Sequence, residues 1–268
     1  RDLHSFPTRR SSDLGGMSNL VEVSGVKKGY GISKTVFENL NLALPEGKII
    51  GLLGPNGSGK TTLIKMLVGL LQPEKGSIRI CGHEVGPESK AVVSYLPERT
   101  YFNEYLKIRQ LVNMFKDFYA DFDETRAYDM MKLLNIDPDM TLKKLSKGNK
   151  EKVQLIMVMS RRARLYVLDE PIAGVDPAAR DYIMQTILTN YDEKATILLS
   201  THLISDIENI LDEVIFIKEG EIICQKDADA LRAEKGQSID EIFREIGRHT
   251  LNSSHLYISY AVFCLKKK

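Results

Sequence analysis

Short apolar runs alternate with helically spaced apolar positions along most of this chain. Residues 21–26 alternate between apolar and polar and predict an edge strand. Residues 48–53, KIIGLL, form a brief apolar run that ends in a glycine-rich turn. Residues 61–71 then place Leu63, Met66, Leu67 and Leu70 on one helical face, and Pro73 is expected to end that helix. Residues 77–81 predict another strand. From about residue 100 to residue 163 the pattern is helical and strand-poor, marked by Leu111, Phe115 and Phe118 and then by Met130, Leu133 and Leu134. Strand signals return at residues 165–168, 196–200 and 214–218, separated by helical stretches at 178–188 and 203–211. Strands alternating with helices predict an α/β fold in which helices cover both faces of a parallel sheet. The stretch from 100 to 163 reads as a helical insertion.

Composition narrows the picture. The chain has 268 residues, 43% apolar and 27% charged, which fits a globular fold with a sizeable core and excludes a disordered or collagen-like chain. Its uninterrupted apolar stretches, such as residues 261–265, are far shorter than the roughly 20 residues a membrane-spanning helix needs. Three cysteines without paired spacing fit a reducing compartment, and Cys81 and Cys224 read as packing residues.

The two ends do not share the pattern of the middle. Residues 4–14, HSFPTRRSSDL, and 258–268, ISYAVFCLKKK, resemble translated sequencing adapters. They are set aside as an artefactual leader (1–16) and tail (248–268), with Met17 as the expected start and a stop expected near Ile246. The remaining unit, 17–247, carries 30 basic and 34 acidic residues. That net negative charge offers no footprint for nucleic acid, which needs a clustered basic excess. Only His83, read as a loop residue, and His202 remain as histidines in this unit.

Residues 54–61, GPNGSGKT, match the phosphate-loop pattern G-x-x-x-x-G-K-[ST] between a predicted strand and a predicted helix. Gly54, Gly57 and Gly59 let the backbone turn tightly and bring its N–H groups to an anion, with Pro55, Asn56 and Ser58 completing the turn. The helix that follows adds its positive end. Lys60 reaches the outer phosphates, Thr61 offers a hard oxygen to Mg²⁺, and Thr62 adds a hydroxyl. A glycine-rich turn that binds nothing is the bland alternative. Residues 165–169, LYVLD, form an apolar strand that ends in a carboxylate, where open α/β sheets bind ligands. Asp169 is the expected metal carboxylate. Glu170, pointing the other way, is the candidate general base for water. His202 follows the strand at 196–200 and is the candidate contact to the outermost phosphate, or else simply the start of a helix. Asp176 before Pro177 reads as a helix cap, a role compatible with function.

Together these pieces resemble the ATP-binding subunit of an ABC transporter, over about residues 20–246. The discriminating segment is 145–149, LSKGN, in the position of the family's LSGGQ signature. The resemblance implies a P-loop NTPase core with N-terminal antiparallel strands and a helical subdomain at about 100–163. It implies that Tyr30 stacks on adenine and that Ser146, Lys147, Gly148 and Asn149 cover the γ-phosphate held by another copy. It implies that Asp176, in AGVD, meets the partner subunit, and that His202 is the family's switch histidine. Lys147 and Asn149 depart from the signature, and Glu98 stands where the family carries glutamine. The implied function is ATP hydrolysis with Mg²⁺, driving transport, with export favoured, through a separate permease. The chain would then act at the cytoplasmic face of the membrane, paired with a second copy or a paralogue. Two alternatives stay open from sequence: a soluble ATPase acting on ribosomes or DNA, and a weakly hydrolysing regulatory cassette.

Overall fold

The computed structural model describes residues 19–31, 34–172, 177–189, 192 and 194–249. The expected leader 1–16 and residues 250–268 of the expected tail 248–268 lie outside the described residues, whereas residues 248 and 249 belong to the last helix.

Two sheets divide the architecture. β1 (Asn19–Tyr30), β2 (Lys34–Pro45), β4 (Lys75–Ile80) and β5 (His83–Glu84) form an antiparallel sheet in the order β2-β1-β4-β5. β3 (Ile49–Leu53), β6 (Val93–Leu96), β7 (Leu165–Asp169), β8 (Thr196–Ser200), β9 (Glu213–Lys218) and β10 (Glu221–Asp227) form the other, in the order β10-β9-β3-β8-β7-β6. All its pairings are parallel except β10 with β9. Every residue of β3, β7 and β8 is buried, as expected for parallel strands covered on both faces.

Helices α1 (Lys60–Leu67), α2 (Pro87–Val92), α6 (Pro177–Thr189), α7 (Ile204–Ile207), α8 (Ala228–Lys235) and α9 (Ile239–His249) accompany the sheets. Between β6 and β7 run α3 (Ile108–Phe118), α4 (Glu124–Leu133) and α5 (Lys147–Met159), with no named strand among them. That is the expected helical insertion. Its core, built on Leu111, Phe115, Met130 and Ile156, is continuous with one face of the parallel sheet. The other face, through Ile50, Leu52, Val167 and Leu198, packs with α1 and the antiparallel sheet.

Several expectations need correction. The segment at 21–26 is not an edge strand: β1 lies between β2 and β4. α1 ends at Leu67, before Pro73, because Gly69 turns the chain at φ 72°. Leu70 is therefore exposed rather than on a buried helix face. Phe118 and Leu133 are also exposed, at the ends of α3 and α4. The stretch 203–211 forms only one turn of α-helix and one of 3₁₀-helix, and His83 lies in β5 rather than in a loop.

Candidate functional site

Strand register assembles the site. Leu52 of β3 and Asp169 of β7 both lie opposite Ser200 of the intervening β8. The carboxyl ends of three parallel strands thus deliver the phosphate loop, the Asp169–Glu170 pair and the Ser200–His202 segment side by side. A cleft of about 310 Å³ opens there. Its walls include Asn56, Gly57, Gly59, Lys60, Thr61 and Thr62 of the loop and helix start, together with Glu98, Asp169, Glu170 and His202.

The loop's shape is enforced by its neighbours. A side chain at Gly54 would meet the Ile217 carbonyl at 2.2 Å and the Ser58 hydroxyl at 2.7 Å. Gly59 has φ 110°, and a side chain there would strike the Phe37 ring at 2.7 Å. Only glycine satisfies both the backbone angle and the space. α1 begins at Lys60 with no side-chain cap, so its first N–H groups are offered to whatever the loop encloses. The Ser58 hydroxyl is buried without a hydrogen-bond partner among the described residues. An orphaned donor beside a helix start fits an anion. Lys60 Nζ donates to the carbonyls of Gly54 at 2.5 Å and Pro55 at 3.1 Å. Burial holds its pKa below the usual lysine value, against the opposing pull of Glu170 and Asp169. Gly54, Pro55 and Ser58 shape the loop but do not themselves line the cleft.

Asp169 also lines the cleft; it is buried, and its pKa is pushed up to about 6. Loss of solvent is the main cause, followed by the negative charges of Glu170 and Glu98. A desolvated carboxylate on the same cleft as the Thr61 hydroxyl fits a hard divalent cation. Glu170 takes φ 52°, in the left-handed region, while its N–H donates to the Ser200 carbonyl at 2.8 Å. Such a conformation costs a residue with a side chain about 1–3 kcal/mol and concentrates at functional sites. It aims the Glu170 carboxylate at His202, whose Nδ1 lies 3.0 Å from Oε2.

Other expected residues fall as follows. Tyr30 lies on the cleft wall, half exposed, with its hydroxyl 3.3 Å from that of Thr62. Ser146, Lys147, Gly148 and Asn149 lie at the start of α5 and do not line this cleft. The Ser146 hydroxyl caps that helix by accepting from the Asn149 N–H at 3.3 Å. Asp176 lies outside the described residues. Sequence reasoning missed Val36 and Ser200, which also line the cleft. Ser200 carried a signal as the polar end of an apolar strand, whereas Val36 carried none.

Comparison with known proteins agrees with this geometry. A protein-family model described as ABC transporter matches residues 37–173, just over half of the chain. The daunorubicin resistance ATP-binding protein DrrA3 of Streptomyces coeruleorubidus is 30% identical over 237 residues, covering 85% of this chain and 75% of the relative. The lantibiotic transport ATP-binding protein SrtF of Streptococcus pyogenes is 29% identical over 226 residues, covering 84% of this chain and 96% of the relative. A solved structure described as an ATP-binding subunit of an ABC transporter superposes with a TM-score of 0.76 at 29% identity, covering 85% of this chain and 99% of that one. A chain with this phosphate loop, these strand-end carboxylates and these relatives belongs to the ABC transporter family, as an ATP-binding subunit that hydrolyses ATP.

Proposed function

We propose that this chain is the motor of a membrane exporter, closing as a pair around ATP beneath a separate permease. The observation that carries the reading is the meeting of Lys60, Asp169, Glu170 and His202 on one cleft at the carboxyl ends of parallel strands. The loop from Gly54 to Gly59, the start of α1 and the hydroxyls of Ser58, Thr61 and Thr62 hold the triphosphate. Lys60 exchanges its two backbone carbonyls for phosphate oxygens and stabilises the charge that develops in the transfer. The half-exposed Tyr30 ring offers a face to adenine. Thr61 and Asp169 hold Mg²⁺, which neutralises phosphate charge. Glu170 orients the attacking water and accepts its proton, and His202 fixes that carboxylate through their shared hydrogen bond.

The pairing rests on the segment at 146–149. Ser146 and Lys147 are exposed and do not line their own cleft, and nothing crowds Gly148. This is what a surface that covers another copy's nucleotide requires, whether that copy is identical or a paralogue. Asp176 would meet the same partner. The exposed Tyr101, Tyr105 and Phe118 on the helical region supply an apolar face for the permease. No helix among the described residues is long and apolar enough to cross a membrane, and the pore is assigned to a separate permease. The protein then works at the cytoplasmic face of the membrane. Export is supported by the drug-resistance and lantibiotic-transport names of the two relatives.

Binding of Mg-ATP to the wild type and to Lys60→Ala tests the site. We expect the substitution to remove most of the affinity, by a hundredfold or more on the order of a lost buried charge contact. Equal affinity of the two proteins rejects the assignment.

A further inference from the structure

Glu98 lies two residues beyond β6, exposed, with its carboxylate on the cleft wall. No hydrogen bond or ion pair to its carboxylate is found among the described residues. It shares that wall with the carboxylates of Asp169 and Glu170. The cleft lining therefore presents three carboxylates, Glu98, Asp169 and Glu170, against one lysine, Lys60. Asp169 and Glu170 are already employed in the proposed mechanism. Glu98 is surplus negative charge at the mouth of a site meant for a polyanion.

We propose that Glu98 is a specificity-determining residue that admits ATP carrying its metal ion and repels the metal-free nucleotide. The inference rests on the nucleotide-binding reading given above. A metal-free triphosphate is far more anionic than its complex with a divalent cation, so a unit charge at the cleft wall penalises the first much more than the second. Coulomb's law across such a cleft, between aqueous and protein-surface dielectrics, gives roughly a three- to thirtyfold penalty per unit charge. A neutral side chain at this position removes it. Because Glu98 is exposed, the penalty shrinks with salt.

The test is equilibrium binding of a fluorescent ATP analogue to the wild type, Glu98→Gln and Glu98→Asp, with Mg²⁺ and separately with EDTA. We expect Glu98→Gln to tighten binding of both forms, and to tighten metal-free binding by about tenfold more than Mg²⁺-loaded binding, because the metal cancels part of the nucleotide's charge. Glu98→Asp, which keeps the charge, should retain the wild-type discrimination. High salt should narrow the gap between Glu98→Gln and the wild type. If Glu98→Gln strengthens both forms equally, or neither, the inference is overturned while nucleotide binding stands. If the wild type binds neither form, the nucleotide reading itself falls and takes the inference with it.

Discussion

Gln154 on α5 donates from Nε2 to the Pro97 carbonyl at 3.2 Å, tying the helix that begins at Ser146 to the segment that carries Glu98. Gln154 is buried and the bond itself is partly shielded from water. It links the surface proposed to cover a partner's nucleotide with the wall of this chain's own cleft. Gln154→Leu keeps the volume and removes the link. The carbonyl left behind should cost about 1–2 kcal/mol of stability in urea denaturation. ATP turnover should fall further than that loss explains, while nucleotide affinity stays near wild type. Normal turnover in a destabilised protein would mean that the bond only holds the fold.

The Glu170–His202 contact leads to a second expectation. A general base contributes on the order of a hundred- to ten-thousandfold in rate. Glu170→Gln should lose at least the lower figure in phosphate release while still binding Mg-ATP. With its nucleotide uncleaved, it should elute as a dimer in size-exclusion chromatography. His202→Ala removes one hydrogen bond to a charged group and should slow turnover about tenfold. Residual turnover of Glu170→Gln near the wild-type rate would assign the base elsewhere.

The site was more legible in sequence than the fold around it. A phosphate loop has fixed spacing because backbone geometry sets where each glycine must stand, so residues 54–61 announced themselves. Asp169 did so as well, as the polar end of an apolar strand. β2 gave no comparable sign, because the β1–β2 ladder is interrupted by register shifts, among them one between Val23 and Val26. Each shift breaks the two-residue alternation that marks a strand. The same irregularity disguised β1 as a short edge strand. Val36 escaped because its place in the cleft is decided by how β2 packs on Gly59, and no local pattern encodes that.

Asp169 makes stability depend on pH in a direction opposite to most carboxylates. Its folded pKa of about 6 exceeds the ordinary aspartate value of 3.8, so the folded state holds the proton more tightly than the unfolded chain. Below pH 4 both states are protonated and the residue is neutral with respect to stability. As pH rises from about 4 to 6, stability falls, and above 6 the whole penalty is present. Its size is on the order of 2–3 kcal/mol. Asp169→Asn should therefore stabilise the nucleotide-free protein at pH 7.5 and have little effect at pH 4, measured by denaturant unfolding. The same variant should lose Mg²⁺-dependent turnover. A variant destabilised at pH 7.5 would show that Asp169 is held there by favourable partners instead.

Arg161 fastens the helical insertion to the sheet, and its loss should be the most damaging of these changes. It follows α5 and is buried. Its guanidinium donates to both oxygens of Asp121, at 3.0 and 3.1 Å, and to the carbonyls of Val93 at 2.5 Å and Ala91 at 2.6 Å. It also lies 4.0 Å from the centre of the Tyr119 ring. Asp121 and Tyr119 belong to the segment between α3 and α4, whereas Ala91 and Val93 lie at the junction of α2 and β6. One planar fork thus spans both parts, a geometry that lysine cannot reproduce. Arg161→Met strands the Asp121 carboxylate, the buried Val93 carbonyl and the partly buried Ala91 carbonyl. Truncating one partner of a fully buried pair costs about 3–5 kcal/mol, and because Asp121 is 25% exposed the loss should fall at or below the lower end of that range. Arg161→Lys should recover less than half of that loss. Where the variants remain folded, nucleotide affinity should be unchanged, because Arg161 does not line the cleft. Denaturant unfolding and nucleotide titration on the same samples check both statements. A loss below about 1 kcal/mol would mean that apolar packing, rather than this fork, joins the two parts.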